Sequence, residues 1–115
     1  MQDEKHPAVY IVANRYRGTT YIGVTSALWN RVCDHKNGNT PGFTSKYRLH
    51  SLVWYEHHHI MPDAIRREKR LKLWKRDWKF RLIEEMNAEW IDLHNLIDYV
   101  GTLVKPKAGP LPSQG

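Results

Sequence analysis

The chain has 115 residues, 41% of them hydrophobic and 26% charged, and a formal net charge of +6 at neutral pH. That length bounds one domain with a core large enough to fold alone, and the composition is globular rather than disordered. A single cysteine, Cys33, excludes an intramolecular disulfide and a paired-cysteine zinc site. No apolar run reaches the ~18 residues of a membrane helix, and the polar start MQDEKHP lacks the apolar stretch of a signal peptide, so a soluble cytoplasmic protein with no membrane partner is expected.

In chain order, residues 1–7 read as a flexible leader. The β-branched and aromatic run AVYIVA at 8–13 reads as a buried strand, and TYIGV at 20–24 as a second, the pair forming a hairpin. Thr25 or Ser26 can cap a helix over 27–36, which Asn37-Gly38 ends. The turn-rich stretch 39–48 reads as a loop and LHSLVWYEH at 49–57 as a third strand. Pro62 suits the first turn of a helical region over 63–86, long enough to be two helices with Asp77 capping the second. A shorter helix is expected over 90–100, within a domain spanning 8–100, followed by a flexible tail at 101–115. The order β, β, α, β, α, α argues an α+β domain, a small sheet flanked by helices.

The positive charge is concentrated. Between Arg66 and Arg81 there are nine basic residues and two acids, Glu68 and Asp77. Such a stripe suits a polyanion, because each neutralised phosphate releases counterions; a solvated helix face is the bland alternative. Tyr10 and Tyr21 share a sheet face if the hairpin register keeps parity, and Gly23 would then mark a close approach to the backbone. Core packing accounts equally well for two strand tyrosines. Arg31 and His35, at i and i+4, lie at the edge of the apolar stripe of Leu28, Trp29, Val32 and Cys33. An arginine there can clamp a phosphate, and a histidine can move a proton near neutral pH.

On a wheel of about 100° per residue, Glu68 falls among Ala64, Ile65, Leu71, Trp74, Trp78 and Leu82 rather than on the charged face. A carboxylate there needs a partner: a neighbouring Lys or Arg, or a metal ion, since magnesium commonly uses one or two carboxylates plus substrate phosphates. The run Glu56-His57-His58-His59 reads as an exposed strand end rather than a metal cluster, and Cys33 as a small apolar-stripe residue. Phe43 and Tyr47 flank Lys46 in the loop, either stacking on an unpaired base or docking the loop onto the sheet. Trp74, Trp78 and Trp90 read as core.

Ala8-Val9-Tyr10, followed by an intact Tyr21-Ile22-Gly23 and then by Leu28, Arg31, His35 and a distant Glu68, resembles the GIY-YIG nuclease family. The first motif carries Ala and Val where the family has Gly and Ile. Similarity continues through 43–47, 52–56, 67–69 and 87–93, covering about 8–93, in the manner of the compact, single-domain bacterial branch. The resemblance implies a three-stranded antiparallel sheet between helices and a metal-dependent endonuclease acting on DNA, or on RNA, with Mg2+ or Mn2+. By the same resemblance Glu68 holds the ion, Arg31 binds the scissile phosphate, Tyr10 and Tyr21 place and help deprotonate the attacking water, His35 supports that step, and Asn87 matches a late asparagine. Some relatives carry a lysine after the YIG glycine where this chain has Val24. Lys46, Arg66, Arg67, Arg70, Lys72 and Lys75 are expected to contact nucleic acid. No sequence-reading element is evident, so weakly specific or structure-directed cutting, or targeting by a partner, is expected. The rival readings are a non-catalytic nucleic-acid binder on the same scaffold and an adaptor for an acidic protein.

Overall fold

The computed structural model describes residues 6–39 and 46–97. The elements are β1 (Ala8–Ala13), β2 (Thr20–Thr25), α1 (Leu28–Lys36), β3 (Ser51–His57), α2 (Met61–Lys72), α3 (Arg76–Met86) and a 3-10 turn, Leu93–Leu96. The strands form one antiparallel sheet in the order β2-β1-β3, the α+β architecture expected. The expected tail, most of the leader, Phe43 and residues 98–100 lie outside the described residues.

β1 is the central strand and all six of its residues are buried, which is why its sequence is a continuous apolar run rather than an alternating one. Its odd and even positions serve different layers. Val9, Ile11 and Ala13 pack with Ile22, Val53 and Trp54 beneath Ala64 and Leu71 of α2 and Ile83 of α3. Tyr10 and Val12 face the other way, with Leu52, Tyr55, Leu28 and Val32 of α1, and Leu93 and Ile97. A register shift between Ile11 and Val12 leaves Val53 as the extra residue of a bulge on β3, and the bulge lets the consecutive Val53 and Trp54 join one layer.

Several boundaries differ from expectation. β2 runs on to Thr25, which pairs with Ala8; its hydroxyl accepts from the Ala27 amide at 3.0 Å and orders the strand-to-helix turn instead of capping α1. The 63–86 region begins earlier, at Met61, and is broken at 73–75, where the amides of Leu73 and Trp74 make tight bonds to the carbonyls of Arg70 and Leu71. Lys75, not Asp77, holds the N-cap position of α3, and Asp77 lies in its first turn. Of the expected 90–100 helix, the described residues, up to Ile97, hold only the 3-10 turn. Trp90 has a left-handed backbone, φ +59°, and Asp92 accepts from the amides of His94 and Leu52, both at 3.0 Å, which ties the segment to β3. Glu84 of α3 fixes the Trp90 indole (2.7 Å from Nε1) and both the Nε and an Nη of Arg17, itself at φ +54°. Those bonds, Arg17 first, hold the Glu84 carboxyl down at about 2. β3 starts at Ser51, two residues later than read; Leu49 is buried all the same. No helix among the described residues is long and apolar enough to cross a membrane.

Candidate active site

The hairpin register settles which strand residues converge. Tyr10 is paired with Gly23, and Val12 with Tyr21, so the two phenols and the glycine share the α1 face of the sheet. The Tyr10 ring lies over Gly23: a Cβ built there would stand 2.5 Å from the phenol oxygen and 2.6 Å from Cζ. The close approach that a strand glycine signals is thus made by the neighbouring strand's tyrosine. The two tyrosine rings lie 6.5 Å apart.

α1 completes the cluster from above. Leu28, Val32 and His35 form its buried line, at i, i+4 and i+7. His35, expected at the edge of that side, is turned fully inward, and its Nε2 shares a 2.9 Å hydrogen bond with the Tyr10 hydroxyl. The pair is 3% and 2% exposed. Burial, and then the phenol of Tyr21, raises the Tyr10 pKa far above the ordinary tyrosine value, against the opposing pull of Arg31. Burial and the Arg31 charge depress His35. The pair is therefore neutral at physiological pH, a phenol beside an imidazole free of charge. Arg31 stays exposed on α1, forms no ion pair among the described residues, and is near enough for its charge to be felt at both groups.

Glu68 comes from the opposite layer. α2 packs on β1 and on the edge strand β2, and there the Glu68 carboxylate keeps only 13% exposure and pairs with Lys72 Nζ at 2.8 Å. The same ammonium stands 5.7 Å from the Tyr21 ring centroid. Glu68 also contributes to the upward shift of Tyr10. Glu68 and Lys72 thus meet the tyrosine face at the β2 edge. Sequence reasoning places Lys72 in the backbone-tracking stripe and offers a neighbouring Lys or Arg as Glu68's partner without naming it; the Glu-to-Lys spacing of i to i+4 singles out Lys72.

Asn87 is not drawn into this cluster by any of its bonds. Its amide nitrogen donates to the carbonyls of Val53 (3.1 Å) and Ile91 (2.8 Å), and its oxygen accepts from the Ile91 amide (3.1 Å). Those contacts make it a buried bracket between the end of α3 and β3. The other basic positions are unequal. Arg67 is bound to Glu56 through two nitrogens, at 2.9 and 3.3 Å, and covers the Trp74 ring at 5.6 Å. Arg66 pairs with Asp63. Arg70 and Lys75 are exposed without an ion pair among the described residues, and Lys46 lies over the Tyr47 ring at 5.5 Å. The histidine run is the end of β3 and the turn after it, with His58 Nε2 2.9 Å from Glu56 Oε1. Cys33 Sγ lies 3.8 Å from His94 Nε2. Trp74 and Trp90 pack on the core, but Trp78, expected there too, is 52% exposed; it sits on the outer side of α3, beyond the reach of the sheet.

Among the described residues no three His, Cys, Asp or Glu side chains gather as a preformed metal cage. Glu68 nevertheless suits a hard divalent cation: it offers one little-exposed oxygen-donor carboxylate, and a cation there would take the place of the Lys72 ammonium that also lies near the Tyr21 ring.

The fold and the converging residues define a class, and the family comparison agrees: the GIY-YIG catalytic domain family matches residues 6–81, and the chain belongs to that family. Among curated relatives it is similar to the UPF0213 protein of Staphylococcus saprophyticus, 32% identical over 82 residues, covering 71% of this chain and 98% of the relative. A UPF0213 protein of Staphylococcus epidermidis is 33% identical over the same shares, and that of Staphylococcus haemolyticus is 32% identical over 67% of this chain and 93% of its own. No solved structure matches.

Proposed function

We propose that the protein is a divalent-metal-dependent endonuclease that hydrolyses phosphodiester bonds in DNA, with Tyr10, Tyr21, Arg31, His35 and Glu68 as its catalytic residues. The observation that carries this reading is the buried Tyr10–His35 hydrogen bond beside Tyr21, with Glu68 arriving from the opposite layer. A satisfied polar pair is compatible with core packing; what favours a site is that this phenol–imidazole pair lies on the same sheet face as a second tyrosine, with a little-exposed carboxylate on the helix of the opposite layer.

In this mechanism Tyr21, at the rim, orients the attacking water. Tyr10 takes a proton from that water as it passes its own to His35 Nε2, across the 2.9 Å bond. The imidazole is neutral, so it can accept; it is a weak base, so it releases the proton again once the step is over. Arg31 holds the non-bridging oxygens and meets the charge that grows on them in the transition state. A Mg2+ or Mn2+ ion on Glu68 would supply Lewis-acid charge to the phosphate. Lys72, paired with Glu68, would be released to meet a backbone phosphate if that carboxylate held the ion. Arg70 and Lys75, free of ion pairs among the described residues, contribute the sequence-independent part of the grip. Asn87 acts as a positioning residue through β3. The cytoplasm is the compartment that fits such an activity.

The test is cleavage of single-stranded, duplex, nicked and branched DNA, with and without Mn2+, by the wild type and by Glu68→Ala. Metal-dependent cleavage that Glu68→Ala loses supports the reading. Undiminished cleavage by that variant overturns the assignment, and binding without cleavage by the wild type would place the protein with the non-catalytic binders.

A further inference from the structure

Trp78 is a large apolar side chain left half in solvent on a helix that packs on the core through Ile83, with Phe80 and Leu82 partly buried. It belongs to an open groove of about 320 Å³ formed with Trp74, Arg81, Leu82 and Glu85. The two indoles meet edge to face at 6.0 Å, with Trp74 anchored against the core. The helical spacing is informative. Trp74, in the break before α3, and Leu82, four residues after Trp78, supply the apolar walls; Arg81 lies three residues after Trp78, and the carbonyl of Lys75, at the N-cap, accepts from the Trp78 amide at 3.0 Å. Both cations are exposed and make no ion pair among the described residues. Glu85 is the one acid in the groove.

We propose that this groove holds an unpaired nucleobase, so that the substrate is single-stranded or locally unpaired DNA. The inference rests on the nucleic-acid reading above and adds the form of the substrate. An indole exposed on one side offers a flat surface to any base, and flanking cations match a phosphate on each side of it. Glu85 would repel a phosphate but accepts an N–H from the Watson–Crick edge of any of the four bases, which directs the base inward and the backbone out toward Lys75 and Arg81. The bases of an intact duplex are stacked and cannot enter.

The test uses the full chain in EDTA, where no metal-dependent cleavage intervenes. Affinity is read by fluorescence anisotropy for a labelled oligothymidylate and for a blunt duplex of equal length, with wild type, Trp78→Ala and Trp78→Phe. Because Trp78 is exposed, its removal leaves the fold intact, which circular dichroism checks. Trp78→Ala is expected to weaken oligothymidylate binding about tenfold and duplex binding less than about twofold, with Trp78→Phe keeping most of the affinity. Equal losses on both substrates, or none, overturn the proposal. So does a wild-type dimer that Trp78→Ala turns into a monomer in sedimentation, which assigns the groove to a second copy. A protein that binds oligothymidylate selectively through Trp78 yet never cleaves with Mn2+ contradicts the nuclease reading and leaves this one standing.

Discussion

The two faces of the sheet are built from alternate residues of the same strand, and they do different work. Below β1, the side chains of Val9, Ile11 and Ala13 meet α2 and α3 in an apolar layer. Above it, Tyr10 spends a buried position on a hydrogen bond to His35 instead of on further apolar contact. Each face is intelligible only beside the other. A buried polar pair adds little net stability, so the apolar contacts of both layers, the lower one built without such a pair, hold the upper one's chemistry in place.

Breaking the lower face should cost the most stability. Ile11→Ala removes a side chain that is 1% exposed and is expected to destabilise the domain by about 2–5 kcal/mol, read from chemical denaturation, with any activity measured below the transition retained. On the upper face, Tyr10→Phe leaves His35 Nε2 without its bond. The expected cost is about 1–3 kcal/mol of stability, together with a fall in cleavage rate of about 10²-fold or more, because the proton path is cut. Gly23→Ala forces a methyl group against the Tyr10 phenol; a loss of about 1–3 kcal/mol is expected, and the rate should fall with it as the ring is displaced.

The smallest effect is that of pH. His35 and His94 are both depressed in the folded protein, chiefly by burial. The unfolded chain therefore binds protons that the folded one does not, once the pH drops below the ordinary histidine value. Stability should be full above about pH 6.5 and decline below it, by at most about 1.4 kcal/mol per pH unit for each histidine. Thermal melts between neutral and mildly acidic pH check this; a melting temperature that rises on acidification would contradict it.

The sequence exposed the lower face more readily than the upper one. An apolar run at β-length, a helix-period pattern and a Gly at a helix end, where Gly38 does adopt φ +72°, are local signals with local causes. The convergence of Tyr10, Tyr21 and Gly23 needed the register, which sequence leaves undetermined to one residue, and one residue decides the face. The inward turn of His35 depended on its having a buried partner on another element. The shortening of the expected 90–100 helix over its described residues has the same explanation: Asp92 is drawn to Leu52 of β3, and Trp90 is held by Glu84, so tertiary bonds override the apolar periodicity. Trp78 misled because helical spacing marks an apolar stripe without saying how far the core extends beneath it.

The most direct measurement compares cleavage rate and melting temperature on the same samples of wild type, Glu68→Ala and Ile11→Val, with Mn2+ and a single-stranded substrate. If the tyrosine face is a metal-dependent phosphodiesterase site, Glu68→Ala loses cleavage and keeps its melting temperature, while Ile11→Val loses melting temperature and keeps cleavage. Glu68→Ala cleaving at the wild-type rate would contradict the account.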